Sequence, residues 1–116
     1  MRRSQSIGQW GEQVAADYLV SHGYRIVDRN FRTPFGEIDL IVERYGLTIF
    51  VEVKTRTTRL FGPPEVAVTV RKQQHMQSCA EHYIQENGID HWQIDVIAVM
   101  EIDGKPEIIH FENALS

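Results

Sequence analysis

Asp39, Glu52 and Lys54 are ionisable groups set in the middle of stretches that are otherwise largely apolar. They belong to Gly36-Glu37-Ile38-Asp39-Leu40-Ile41 and Phe50-Val51-Glu52-Val53-Lys54-Thr55-Arg56, which both read as β-strands, with Arg44-Tyr45-Gly46-Leu47 as a tight connection between them. Period-two alternation sets Glu37, Asp39 and Ile41 against Ile38, Leu40 and Val42. It likewise sets Phe50, Glu52 and Lys54 against Ile49, Val51 and Val53. Glu52 and Lys54 therefore share a face, and a hairpin would bring Asp39 close to Glu52. Two carboxylates side by side are unfavourable unless something neutralises them. A hard divalent cation such as Mg²⁺ does so, because it takes carboxylate, water and phosphate oxygens as ligands. The alternative is a solvated strand face. Against it, the acids sit among β-branched residues, where a polar face should favour Thr or Ser.

The elements that must position these groups follow from the pattern on either side. Residues 4–22 read as a helix, with Ile7, Trp10, Val14, Tyr18 and Leu19 on an apolar stripe, Ser4 or Ser6 as cap and Gly23 as stop. Residues 24–32 read as a first strand, ending in the turn Thr33-Pro34-Phe35-Gly36. Residues 57–64 form a loop with a Gly62-Pro63-Pro64 breaker, and residues 65–70 are ambiguous. A second helix runs from about Thr69 to Glu86 or Asn87, with Met76, Cys79, Ala80, Tyr83 and Ile84 on its core stripe and Gly88 as stop. Residues 92–100 read as a strand buried on both faces, interrupted by Asp95, an acceptor near the site that ranks below the other acids as a ligand. After the turn Asp103-Gly104-Lys105-Pro106, residues 107–112 form a last strand. The order predicts an α/β or α+β layer with a mixed sheet flanked by helices, three strands as a meander and a parallel crossover through the second helix.

A second group of residues suits phosphate. Arg29 and Arg32 lead into a turn, while Thr55, Arg56 and Arg59 lie just past Lys54. Arg71 and Lys72 fall in the first turn of the second helix, where the helix dipole disfavours cations unless an anion such as phosphate is near. Plain surface charge is the alternative for each. His75, His82, His91 and His110 lack zinc-ligand spacing, and His75 and His82 read as surface residues.

With 116 residues, 42% of them hydrophobic and 24% charged, the chain predicts one soluble domain over residues 1–116. It holds no apolar run of membrane-span length, and its basic start lacks the apolar region of a secretory signal. The single Cys79 excludes an internal disulfide and fits a cytoplasmic location. The net charge of −4 is unevenly spread. Residues 1–72 hold eleven of the twelve Lys and Arg against eight acids, and residues 73–116 hold only Lys105 against eight more. That asymmetry hints at a polyanion-facing surface in the first part of the chain.

Asp39 followed by Glu52-Val53-Lys54 on the next strand resembles the PD-(D/E)xK nuclease signature, although Ile38 stands where the signature has Pro. More specifically, Gly8, Gly11-Glu12, Ala15-Ala16, Tyr18-Leu19, Gly23-Tyr24, Arg29-Asn30-Phe31-Arg32, the two strand motifs and Lys72 resemble the motifs of the YraN-like family of uncharacterised bacterial proteins. The resemblance covers about residues 8–100. It implies a restriction-endonuclease-like fold, similar to archaeal Holliday-junction resolvases, with a mixed sheet of about five strands. It further implies Mg²⁺- or Mn²⁺-dependent cleavage of DNA, with branched DNA as the structure-specific substrate and, by analogy, a homodimer. In the resolvases a first-helix acid completes the metal site, and Glu12, which lies off the apolar stripe of the first helix, is its match; a solvated helix residue paired with a nearby cation is the alternative. The expected ligands are then Asp39, Glu52, the Val53 carbonyl and Glu12. Lys54 would orient or help deprotonate the attacking water, or neutralise the pentacovalent transition state, staying charged beside two carboxylates without metal. Two other readings remain: a catalytically silent nucleic-acid-binding module of the same fold, and a protein whose acidic second half binds a protein partner.

Overall fold

The computed structural model describes residues 6–57 and 70–115. Within them the order is α1 (Ile7–Ser21), β1 (Arg25–Thr33), β2 (Gly36–Arg44), β3 (Leu47–Arg56), α2 (Val70–Asn87), β4 (Trp92–Ile102) and β5 (Lys105–Phe111). Arg59, the rest of the expected loop beyond Thr57, and residues 65–69 of the ambiguous stretch lie outside the described residues, as does Ser4.

Local sequence explains where the elements begin and end. Ser6 caps α1: its Oγ accepts from Gln9 N and its own N–H donates to Gln9 Oε1, both at 3.1 Å, a reciprocal box that satisfies two orphan donors. Tyr45 and Gly46 both have positive φ, 53° and 78°, the combination that closes a two-residue hairpin with the twist of the flanking strands. Asp103 and Gly104 repeat that pattern between β4 and β5.

The five strands form one sheet in the order β1-β2-β3-β4-β5, antiparallel except for the parallel pair β3–β4 that α2 connects. The expected α/β architecture, a mixed sheet of five strands flanked by helices, is the one observed. Helix α1 covers one face, where Ala15, Ala16 and Leu19 pack on Leu40, Val42, Ile49, Val51, Ile97 and Val99. Helix α2 covers the other, where Cys79, Ala80 and Tyr83 pack on Ile38, Ile41, Phe50 and Ile94. The interior strand β4 is buried from Ile94 to Met100, as a parallel strand between two helical layers must be. Among the described residues no helix is long and apolar enough to cross a membrane.

One expectation needs correcting. Strict alternation along β2 would put Ile38 with Leu40 and Val42, yet Ile38 packs with Ile41 on the α2 side while Leu40 and Val42 face α1. Strand β1 changes sides at the same level: Phe31, paired with Ile38, packs on the α2 side, and Arg29, paired with Leu40, reaches Gln13 of α1. Between these pairs lie Asn30 and Asp39, and Asn30 has a left-handed backbone with φ 51°. A left-handed residue breaks the pleat, so the side chains beyond it change sides.

Candidate functional site

The break coincides with a fork in the sheet. Strands β2 and β3 pair from Arg44↔Leu47 to Leu40↔Val51, and beyond that point β2 reaches back to Gly36 while β3 continues to Arg56. Asp39 bridges the opening: its Oδ2 accepts the Val53 N–H at 2.8 Å, taking the place of a backbone acceptor. In an extended strand a residue's N–H and C=O leave along the same edge, so the Val53 carbonyl also opens toward the fork.

Glu52 and Lys54 do share a face. Lys54 Nζ lies 3.9 Å from Glu52 Oε1, and both side chains are mostly buried, at 22% and 17% exposure. A closer cation comes from α2, where Lys72 Nζ lies 3.1 Å from the same Glu52 oxygen. Lys72 was singled out from sequence for phosphate, but the fold brings it onto the acid of β3. Glu12 stands on α1 beside Gly11, and a Cβ at Gly11 would come within 2.0 Å of Thr55 Oγ1 on β3. That close approach lets α1 lie against the strand and brings Glu12 to the fork.

With its side-chain amide oriented to donate, Asn30 Nδ2 reaches Glu37 Oε1 at 2.9 Å and Glu12 Oε1 at 3.1 Å. Glu37 is the acid that reading the sequence for function passed over. Its place two residues before Asp39 was the available signal, but strict alternation offered no reason to bring it toward Glu12.

The electrostatics are those of a crowded acid site. Burial pushes the Asp39 carboxyl from its ordinary 3.8 up to about 7, helped by Glu52 and Glu12 and opposed by the Val53 N–H. Glu12 is also raised, first by burial and then, against the Asn30 hydrogen bond, by Glu37 and Glu52. Lys54 is lowered, chiefly by burial and then by Lys72 beside it, against the pull of Glu52. The expectation that neighbouring acids alone would set its charge thus left out the second lysine. Lys72 is raised, through its hydrogen bond with Lys54 and then, once burial has subtracted, through Glu52.

All the side-chain donors in this cluster are carboxylate oxygens, with a strand carbonyl beside them, which is the chemistry a hard divalent cation takes. Asp39 and Glu12 are raised by burial first and by neighbouring carboxylates after it, so positive charge brought to the fork would favour their ionised forms. The residues therefore fit such an ion. As they stand, no three His, Cys, Asp or Glu side chains among the described residues are gathered closely enough to hold one. Asp39 is turned to Val53, Glu52 to its lysines, and Glu12 and Glu37 to Asn30.

The remaining candidates are more dispersed. Arg29 is exposed and its Nη1 donates to Gln13 Oε1 at 2.9 Å; Arg32 is 89% exposed, 3.7 Å from Glu37 Oε2. Arg56 and Arg71 are exposed on β3 and α2. His75 is exposed, as expected, yet with Glu37, Glu52 and Lys72 it lines a cleft of about 210 Å³ on the α2 side. A second cleft, of about 280 Å³, lies on the α1 side against Glu12, Gln13, Arg29 and Asn30. Asp95 is a structural acceptor, as the sequence allowed, but its bonds go to Gln93 on its own strand, to β5 and to the turn after it rather than to the fork.

Two helical layers on a five-stranded mixed sheet, with acids and lysines at a strand fork, define a small α/β protein. The chain belongs to the family described as Uncharacterised protein family UPF0102, which matches residues 11–99. That membership accords with the YraN-like motifs. It is 47% identical to a UPF0102 protein of Trichlorobacter lovleyi, over 96% of this chain and 91% of the relative. It is 42% identical to one of Syntrophomonas wolfei subsp. wolfei, over 96% of this chain and 98% of the relative. Among solved structures it is similar to Pyrococcus furiosus SfsA in complex with Ca²⁺, at a TM-score of 0.42 and 17% identity. That match covers 90% of this chain and 62% of the other, less than two thirds of its length, and is too distant to bear on the site.

Proposed function

We propose that the chain is a Mg²⁺- or Mn²⁺-dependent endonuclease that hydrolyses phosphodiester bonds in DNA, with branched DNA as its structure-specific substrate. The observation that carries this reading is the convergence of Asp39, Glu52 and Glu12 with Lys54 at the fork between β2 and β3. Asp39, Glu52, the Val53 carbonyl and Glu12 would hold one or two ions. A bound ion of this kind supplies Lewis acidity, which makes a water more acidic and offsets charge on the scissile phosphate. Lys54 orients the attacking water or neutralises the crowded phosphorus transition state. Lys72 keeps the Glu52 carboxylate in place from α2. Arg29, Arg32, Arg56, Arg59 and Arg71 contact the nucleic-acid backbone. Two symmetric cuts in a four-way junction require two copies, so the proposal includes a homodimer. A reducing cytoplasm suits the one buried thiol, Cys79.

The test is a cleavage assay on branched, nicked and linear DNA with Mn²⁺, comparing wild type with Asp39→Ala, Glu52→Ala and Lys54→Ala. Each variant is expected to lose at least about a hundredfold in rate. The reading is lost if the wild type cuts none of the substrates, or if the three variants cut as fast as it does.

A catalytically silent nucleic-acid-binding module is the second reading. It is favoured by the lack, among the described residues, of three acids already gathered for an ion. Salt-dependent DNA binding without cleavage is its expected signature.

A further inference from the structure

Asn30 occupies the level at which β1 and β2 both change sides. It sits opposite Asp39, between the pairs Arg29↔Leu40 and Phe31↔Ile38, with φ at 51°. Asn tolerates this backbone better than most residues, because its short amide bonds locally. Here, when oriented to donate, the amide spans two elements: one acceptor, Glu12, is on α1, and the other, Glu37, is on β2. The helix does not need this link to dock. Gly11 already lies against Thr55, and Ala15, Ala16 and Leu19 are fully buried on the sheet. What the amide adds is the aim of a carboxylate that packing alone would leave to choose among rotamers.

We propose that Asn30 is a positioning residue for the divalent cation. Its amide holds the Glu12 carboxylate against β2, with Glu37 as the second anchor, and so presents Glu12 to the opening between Asp39 and Glu52. This rests on the metal-dependent reading above and extends it to a residue that does not itself touch the ion. The exposed position suits the role, since the carboxylates it links must stay within reach of an arriving cation.

Calorimetric titration of the metal-free full chain with Mn²⁺ tests it, using wild type, Asn30→Gly, Glu12→Ala and the double variant. Glycine keeps the left-handed backbone and removes only the amide. Asn30→Gly is expected to weaken Mn²⁺ binding about tenfold while leaving the melting temperature nearly unchanged. The same substitution is expected to add nothing to Glu12→Ala, because Asn30 acts through that carboxylate. Mn²⁺ binding that Asn30→Gly leaves intact overturns the inference, as does a loss that adds in full to that of Glu12→Ala. A wild type that binds no Mn²⁺ sinks the metal reading itself, an outcome distinct from both. Should the glycine variant fail to fold, the Asn30 side-chain amide signals in wild type and Glu12→Ala decide the matter. They are expected to shift between the two proteins, and coincident signals overturn the positioning role.

Discussion

Two aspartates in neighbouring parts of the sheet meet opposite fates. Asp95 on β4 is fully buried, and both its oxygens are occupied. Oδ1 accepts from Gln93 Nε2 at 2.9 Å and from Asn113 N at 2.8 Å, while Oδ2 lies 2.7 Å from His110 Nε2. The other ring nitrogen of His110 meets the Tyr18 hydroxyl at 3.0 Å, which ties β4, β5 and α1 into one closed chain of hydrogen bonds. In the tautomer that donates Nε2–H to Asp95, Nδ1 is the acceptor for the Tyr18 hydroxyl. Asp39 on β2 is less buried, but it has one backbone donor and faces carboxylates. Burial first, and then the neighbouring Glu52 and Glu12, displace its acidity to about 7. A buried acid that serves the fold is surrounded by donors until its charge is matched. An acid left partly unmatched offers that mismatch to whatever brings positive charge, the role proposed for Asp39.

The comparison can be broken most forcefully at Asp95. Asp95→Ala leaves the Gln93, His110 and Asn113 donors without their acceptor, and should lower stability by about 3 kcal/mol or more. Urea unfolding measures this. A cost no greater than that of an exposed substitution would mean the closed chain contributes nothing.

Gly11→Ala comes next. Its added methyl collides with Thr55, so a loss of about 1–3 kcal/mol is expected, with partial recovery when Thr55→Ala is added. No recovery would place the strain elsewhere than at this contact.

Asp39→Asn should act in the opposite direction and by the least. The Asp39 pKa is raised on folding, so its stabilising contribution is full below about pH 4 and is lost as the pH rises through about 7. The variant has no carboxyl to titrate, and its amide oxygen can still accept the Val53 N–H. Thermal melts of metal-free protein should show it a few degrees above wild type at pH 8, with the gap closing below about pH 4. A lower melting temperature for the variant at pH 8 would show that Asp39 is as well matched as Asp95.

The same contrast accounts for what was legible in the residues. Strand period placed Glu52 with Lys54, and helix period with its stops gave α1 and α2 close to their true ends. The site pair Asp39 and Glu52 was readable because charge in an apolar strand is costly and therefore conspicuous. Glu37 and Asn30 escaped because their roles depend on a break in the alternation that predicted them. Lys72 was seen as a cation but assigned to phosphate, since helix position says nothing about which strand it will face. His110 lacked zinc spacing, and its partner Asp95 is fifteen residues away.

The sequence by itself determined the elements, their order and three charged groups that meet at the strand fork, because period and turn chemistry act over a few residues at a time. Only the tertiary structure decided that the strands part at Asp39, that Lys72 and Glu12 arrive from opposite helical layers, and that Asp95 is closed off from the fork. Those outcomes depend on contacts between residues far apart in the chain, where packing and the matching of charge, not local pattern, select the partner.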